Sequence, residues 1–130
     1  MKRDWNLIRD ILEAFENDEY IAFYDRAGMT DAERSRIYKD DLLKERLARQ
    51  AVITLHVELL AESGLIARFE SAPSSANDCL RLTMAGYDML DALRDDSVWH
   101  RIKDMAVKSG VTISWEFIKQ AIPLVYKALL

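Results

Sequence analysis

Histidine and cysteine, which often bind metals or carry catalysis, are few in this sequence, and they lie far apart. His56 and His100 are its two histidines, and Cys79 is its single cysteine. Metal ligands and activated nucleophiles work in clusters, and no histidine stands near Cys79 along the chain. We therefore predict a hydrogen-bonded structural role for His56, and neither a metal site nor a cofactor.

Three aspartates, Asp91, Asp95 and Asp96, form the densest acidic group of the chain. Asp91 and Asp95 are spaced to share one face of a helix, and paired carboxylates can hold a cation or exchange protons. Arg94 can neutralise the group, however, and Asp96 stands where a helix cap is expected. Because the chain also has no glycine-rich phosphate loop and no nucleophile motif, we predict no catalytic residues and no enzyme activity.

Arginine and lysine side chains could bind nucleic acid, because phosphate oxygens accept hydrogen bonds from them. If DNA is bound, the predicted contacts are Lys44, Arg46 and Arg49 on a helix and Arg68 and Arg81 on a hairpin. The alternative is that these are solvated charges balanced by neighbouring carboxylates. A net charge of −4 and a pI of about 5.2 disfavour non-specific attraction to DNA.

Apolar contact with another protein is the third possibility. The segment from Val52 to Leu60 carries more apolar side chains than one stripe can hold, so this helix must be covered on more than one side. Leu55 and Leu59 are spaced to share one patch and, with Glu58, would face outward. These three are the predicted contacts with a protein partner. The C-terminal segment is also apolar, which favours a homodimer through the C-terminal helices.

Caps and apolar periodicity predict the elements that position these residues. Asp4 can cap a first helix whose apolar stripe recurs at helical spacing. Residues 20–24 fit either a short strand or a helix. Thr30 and Glu33 have the spacing of a capping box, which predicts a second helix start. Residues 31–62 contain no glycine or proline. The sequence therefore does not decide between one helix that runs through Ser63 and two helices with a bend near residues 40–41.

Gly64 predicts a left-handed cap at the end of that helix. Residues 65–82 then predict a β-hairpin with a polar tip at 71–78 and a return strand in which Leu80 and Leu82 share one face. Thr83 caps the next helix, whose predicted face includes Met84, Tyr87, Leu90, Ala92 and Leu93. Gly86 inside this helix costs about 1 kcal/mol relative to alanine, which predicts close approach to a neighbouring backbone.

Two further helices complete the predicted chain. Asp96 or Ser97 caps the first of them, which inserts Trp99 into the core and ends at Gly110. Ser114 caps the last helix, where Pro123 should kink or split it because proline lacks a backbone donor.

The order of these elements is that of a winged-helix module. Along the chain, a helix is followed by Gly-Leu-Ile, a strand, a hairpin turn, a second strand and Leu-Thr-x-x-Gly. The predicted fold is mainly α with a small β-hairpin: a winged helix-turn-helix-like domain over residues 1–96. Residues 97–130 are predicted as a C-terminal helical extension that packs on this core or on a dimer mate.

Three sequence blocks, MKRDWNLIRDIL, HVELLAESGLI and LTMAGYDMLDALRDDSVWHRIK, resemble the uncharacterised bacterial and phage family called domain of unknown function 2513. The resemblance implies a winged-helix-like fold and an origin in phage or prophage gene sets. That family has no established activity, so no functional residue transfers to this chain.

The function predicted from these features is that of a small phage- or prophage-type winged-helix regulatory or adaptor protein that acts by binding. The alternatives are a sequence-specific DNA-binding transcriptional regulator and a protein-binding inhibitor of a host or defence system. A single cysteine, an N-terminus without a signal-peptide pattern and the lack of a long apolar run predict a cytoplasmic protein that does not enter a membrane.

Overall fold

Helices make up most of the computed structural model, which describes residues 3–28, 41–68 and 80–129. Within these ranges there are six helices and one two-stranded antiparallel sheet, as predicted for a mainly helical chain with a small hairpin. In chain order they are α1 (Trp5–Glu16), α2 (Tyr20–Asp25), α3 (Asp41–Glu62), β1 (Ile66–Arg68), β2 (Leu80–Leu82), α4 (Met84–Arg94), α5 (Asp96–Ser109) and α6 (Trp115–Leu129).

The chain divides into two compact units, Met1–Gly86 and Tyr87–Leu130. In the first unit, α1 packs against α2, α3 and β2, and α3 packs against α2 and β1. In the second unit, α5 packs against α6. Within the described residues, no helix is both long and apolar enough to span a lipid bilayer.

Helix α1 begins as predicted, because the Asp4 carboxylate accepts the backbone N–H of Leu7 at 3.1 Å. Its predicted apolar stripe is buried at four positions and half-buried at Leu7. The four buried residues are Ile8, Ile11, Leu12 and Phe15.

The segment that fitted either a strand or a helix is helix α2. Tyr20 and Phe23, three residues apart, are both buried, and the Tyr20 ring stacks on Phe15 with centroids 4.3 Å apart. This spacing places two aromatic rings on one helical face. A strand would have turned Tyr20 and Phe23 to opposite faces.

Gly64 ends α3 in the left-handed conformation, with φ of 77°, as predicted. The N–H of Gly64 donates to the Ala61 carbonyl and that of Leu65 donates to the Leu60 carbonyl. This is the Schellman arrangement, in which the chain reverses and two terminal carbonyls of the helix find donors. Leu60 and Leu65 are both buried, so the cap leads the chain directly into β1.

The predicted hairpin is present as the pair β1 and β2. Ile66 and Leu82 are opposite each other and buried, while Arg81 is exposed on the other face of β2. The predicted helix start at Thr30–Glu33, the tip at 71–78 and the question of whether residues 31–40 continue α3 lie outside the described residues.

The Thr83 hydroxyl closes the base of the hairpin. It donates to the carbonyl of Gly64 and accepts the N–H of Gly86 at 3.1 Å, so it caps α4 as predicted. The N–H of Thr83 also donates to the Leu65 carbonyl. A Cβ at Gly86 would overlap that same carbonyl oxygen, which confirms the predicted close approach of two backbones.

The predicted face of α4 is partly wrong. Leu90, Ala92 and Leu93 are buried, but Met84 and Tyr87 are exposed by 81% and 43%. Met89, which the prediction omitted, is buried in their place. Both exposed residues lie in the first turn of α4, and the buried side chains of this helix begin at Met89.

Helix α5 is capped by Asp95, not by Asp96 or Ser97 as predicted. The Asp95 carboxylate accepts the N–H groups of Ser97 and Val98, whereas Asp96 is the first helical residue. Asp95 therefore lies in the break between α4 and α5 and does not share a helical face with Asp91. Val98 is fully buried and Trp99 only half-buried, so the residue predicted to enter the core was one position off.

The end of α5 and the start of α6 are as predicted. Gly110 has a left-handed φ of 66° at the end of α5, and the Ser114 hydroxyl accepts the N–H of Phe117 at the start of α6. Pro123 lies inside α6 without splitting it. The buried side of α6 carries Trp115, Ile118, Ala121 and Val125.

Candidate functional site

Helix α3 has two apolar sides, and among its described side chains one side is buried and the other largely exposed. The inward side carries Ile53, His56 and Leu60, which are all buried. The Asp4 N–H donates to Nε2 of His56 at 3.1 Å, and Nδ1 of His56 lies 2.8 Å from the Val52 carbonyl oxygen. Because Nε2 accepts, Nδ1 carries the hydrogen and donates to Val52. His56 is the structural histidine that the sequence predicted.

The outward side of α3 carries the predicted protein-interface residues. Leu55 is exposed by 44% and Glu58 is exposed, while Leu59 is half-buried. Leu47, exposed by 56%, was not among the predictions. It stands eight residues before Leu55, which is close to two helical turns, so helical spacing alone could have identified it.

Five residues of this side lie at spacings of three and four, which places them along one line of the helix surface. All five are exposed in the structure. We call them the outer stripe: Lys44, Leu47, Ala51, Leu55 and Glu58.

The predicted DNA-binding cations of α3 lie in its first half. Lys44 and Arg46 are exposed, and Arg49 is half-buried with its guanidinium 3.5 Å from the Glu45 carboxylate. From residue 50 to residue 62 the helix has no lysine or arginine and two glutamates. Its positive charge is therefore confined to one end.

The two arginines of the hairpin do not come together. Arg68 is opposite Leu80, and Arg81 is opposite Ala67. Successive side chains of a strand alternate between faces, so Arg68 and Arg81 lie on opposite faces of the sheet. Arg81 also lies 3.9 Å from the Asp18 carboxylate, an exposed pair that contributes little to stability.

A cleft of about 430 Å³ lies beside the first half of α3. Its floor is apolar and includes Phe23 from α2 and Val52 and Ile53 from α3. Asp10 and Arg49 are among the polar residues that line it. The cleft is large enough for an apolar side chain.

The residues considered for catalysis remain apart. His100 is exposed and lies 3.7 Å from the Asp104 carboxylate on the same helix. Asp91 lies 3.8 Å from Arg94, and Cys79 is outside the described residues. Within residues 3–28, 41–68 and 80–129, no three His, Cys, Asp or Glu side chains are grouped to hold a metal ion.

Comparison with known proteins identifies the family but assigns no activity. No solved structure matches the fold of this chain. An uncharacterised protein of Haemophilus influenzae is 25% identical over 134 aligned residues, which cover 100% of this chain and 99% of that protein. The family described as "Hypothetical protein (DUF2513)" matches residues 2–112. Since the match covers most of the chain, this protein belongs to the DUF2513 family.

Proposed function

We propose that this chain is a small winged-helix regulatory or adaptor protein that binds a protein partner through the outward side of α3 and performs no catalysis. The order α1, α2, α3, β1, β2 and the tight connection from Gly64 into β1 support the winged-helix arrangement. In that arrangement α3 takes the position of the recognition helix. A phage or prophage setting belongs to the same proposal and comes from the family resemblance.

The observation that carries this proposal is the composition of the outward side of α3. Leu47 and Leu55 are exposed there, and the charges of the second half of the helix are those of Glu58 and Glu62. DNA offers anionic phosphates and base edges that form hydrogen bonds. Leucines form no hydrogen bonds with base edges and carboxylates are repelled by phosphates, whereas exposed apolar side chains grouped on one face are typical of protein contacts.

DNA binding is the second candidate function, and one observation favours it. Helix-turn-helix proteins contact base edges with the N-terminal residues of the recognition helix, and the exposed Lys44 and Arg46 lie in the first two turns of α3. Arg68 could add a phosphate contact from β1. These three cations would make few phosphate contacts, so the predicted binding is weak.

A gel-shift titration of the full chain with random duplex DNA at low and moderate salt separates the two candidates. We expect little or no shift at either salt concentration. Tight binding that falls steeply with salt would overturn the proposal, because such a slope measures released counterions and hence phosphate contacts. The variant Lys44→Ala/Arg46→Ala shows whether any residual shift depends on the first half of α3, and Lys103→Ala/Lys108→Ala, on α5, is its control.

A further inference from the structure

The outer stripe of α3 is symmetric in position and opposite in charge at its two ends. Leu47 and Leu55 each lie four residues from Ala51, while Lys44 and Glu58 each lie seven residues from it. At 1.5 Å per residue, Lys44 and Glu58 are about 21 Å apart along the helix. A two-fold axis through Ala51 therefore exchanges the leucine positions and exchanges the positive end with the negative end.

We propose that the outer stripe is the contact through which two copies of this chain associate, with their α3 helices antiparallel and crossing at Ala51. This inference names the partner of the protein-binding face and so rests on the proposed function. A two-fold contact uses the same patch on both copies, so the patch must be complementary to itself. The outer stripe meets that requirement in both shape and charge.

The pairing places apolar groups against apolar groups at the centre. Leu47 of one copy faces Leu55 of the other, and this contact occurs twice. Ala51 faces Ala51 of the second copy, and its small side chain allows two helices to approach within the usual 8–10 Å between axes. The four exposed leucines of two copies leave water together, which is the main favourable contribution.

The charges at the ends determine the direction of the helices. In the antiparallel arrangement Lys44 of each copy faces Glu58 of the other, so two opposite-charge pairs border the leucines. A parallel arrangement would place Lys44 against Lys44 and Glu58 against Glu58. Like charges facing each other across an interface are unfavourable and suppress the wrong pairing, so the charge pattern selects the antiparallel dimer.

The contact is narrow, which determines how strong the dimer can be. A strip about 21 Å long and one helix wide buries much less than the roughly 1,200 Å² of a standard interface. We therefore expect a weak dimer that forms as the protein concentration rises.

Two copies could also associate through their α6 helices, but the side chains there are less complementary than those of the outer stripe. Leu124 and Tyr126 are exposed on α6 by 57% and 42%. An antiparallel pairing that sets Glu116 against Lys127 of a second copy would place Leu124 against Lys119. Because this arrangement buries a leucine against an ammonium group, α3 is the better candidate for the contact between copies.

Sedimentation velocity of the full chain over a wide concentration range tests this proposal by charge reversal. Lys44→Glu alone and Glu58→Lys alone each turn two attractive pairs into two repulsive ones. At about 1 kcal/mol for each pair, each variant should dimerise at least about tenfold more weakly than the natural chain. An equimolar mixture of the two variants should regain the dimer, because each end then faces its opposite charge.

Two further variants complete the experiment. Leu55→Glu should remove the dimer, and Leu124→Glu, which places the same charge on α6, should leave it unchanged. Circular dichroism confirms that each variant is folded, and recovery in the mixture itself excludes misfolding of the single variants. A natural chain that is monomeric throughout, a mixture that stays monomeric, or a dimer lost only with Leu124→Glu would each overturn the α3 contact.

The outcomes also separate this inference from the proposed function. A monomeric chain that does not bind duplex DNA would refute the α3 dimer and leave a different protein partner as the ligand of α3. Steep, salt-dependent DNA binding would refute the proposed function itself, whatever the oligomeric state.

Discussion

The inward and outward sides of α3 differ little in hydrophobicity but greatly in their surroundings. The inward side ends in Leu60, which is 3% exposed, and includes His56, whose two ring nitrogens both have partners. The outward side leaves Leu47 and Leu55 about half exposed. Among the side chains of α3 that the structure describes, the buried ones, Ile53, His56 and Leu60, all lie on the inward side.

This difference shows that apolar character alone does not say which side of a helix is buried. The inward side differs because it makes specific hydrogen bonds. Both ring nitrogens of His56 contact backbone groups, and a Schellman cap at the end of α3 leads the chain into β1. A side that needs such specific partners is structural. The outward side, whose Leu47 and Leu55 are exposed, is the side proposed for binding.

The largest expected effect is on the inward side, where His56→Ala should lower the free energy of unfolding by about 3 kcal/mol. The variant leaves a cavity at a fully buried site and leaves the N–H of Asp4 without its acceptor. Urea unfolding measures the loss. Glu58→Ala, on the outward side of the same helix, is the matched control and should change stability by less than about 0.5 kcal/mol. Equal losses in both variants would contradict the comparison.

Gly86→Ala should destabilise the chain by about 2 kcal/mol, because its methyl group overlaps the Leu65 carbonyl oxygen and α4 must shift. In an open helix the same change would be stabilising by about 1 kcal/mol. Thermal unfolding checks the direction of the change: a lower unfolding temperature for Gly86→Ala is expected here, and a higher one would mean that the helix is open at this position.

The control for the Gly86 variant is Gly64→Ala. A Cβ at Gly64 meets no atom, but its φ of 77° strains any L-residue. We expect a loss of about 1 kcal/mol from backbone strain alone. A smaller loss for Gly86→Ala than for Gly64→Ala would show that the hairpin base is not closely packed.

Tyr20 makes the buried layer of α1 and α2 sensitive to alkaline pH. Burial, with a smaller effect from Tyr24, raises the pKa of Tyr20 from 10.0 to about 12. The unfolded chain therefore loses the phenol proton at lower pH than the folded chain does. The free energy of unfolding should fall by about 1–2 kcal/mol as pH rises from about 10 to 12.

Urea titrations at several alkaline pH values measure this dependence. Tyr20→Phe keeps the ring that stacks on Phe15 and should flatten the decline. If the free energy of unfolding of Tyr20→Phe fell as steeply as that of the natural chain, groups other than Tyr20 would be responsible for the pH dependence.

The smallest effect belongs to the outward side. Leu55→Gln should change the free energy of unfolding of the dilute, monomeric chain by less than about 0.5 kcal/mol, because an exposed side chain loses little packing. Urea unfolding at low protein concentration provides the measurement. A loss as large as that of His56→Ala would mean that Leu55 is part of the core.

Local chemistry made much of the fold predictable. Asp4, Thr83 and Ser114 start helices because their side-chain oxygens accept the first free N–H groups. Gly64 ends α3 because glycine adopts positive φ without strain. The opposite facing of Arg81 and Leu82 on the return strand followed from the alternation of polar and apolar residues. Each of these features depends on a few neighbouring residues, which is why the sequence alone was sufficient.

Features that depend on distant residues were not predictable. The acceptor for the Asp4 N–H is His56, 52 positions later. Asp95 and Asp96 are chemically alike, and only the backbone conformation decides which of them is the cap. Leu47 is of the other kind: it lies eight residues before Leu55 on the same face of α3, so its exposure follows from helical spacing alone.

The bond between Asp4 and His56 also has a consequence for synthesis of the chain. A ribosome adds about 5–20 residues per second, so His56 is made roughly 3–10 s after Asp4. During that interval the nascent α1 cannot yet pack against α3. The apolar side chains of α1 that pack against α3 therefore cannot reach their final packing until translation has passed residue 56.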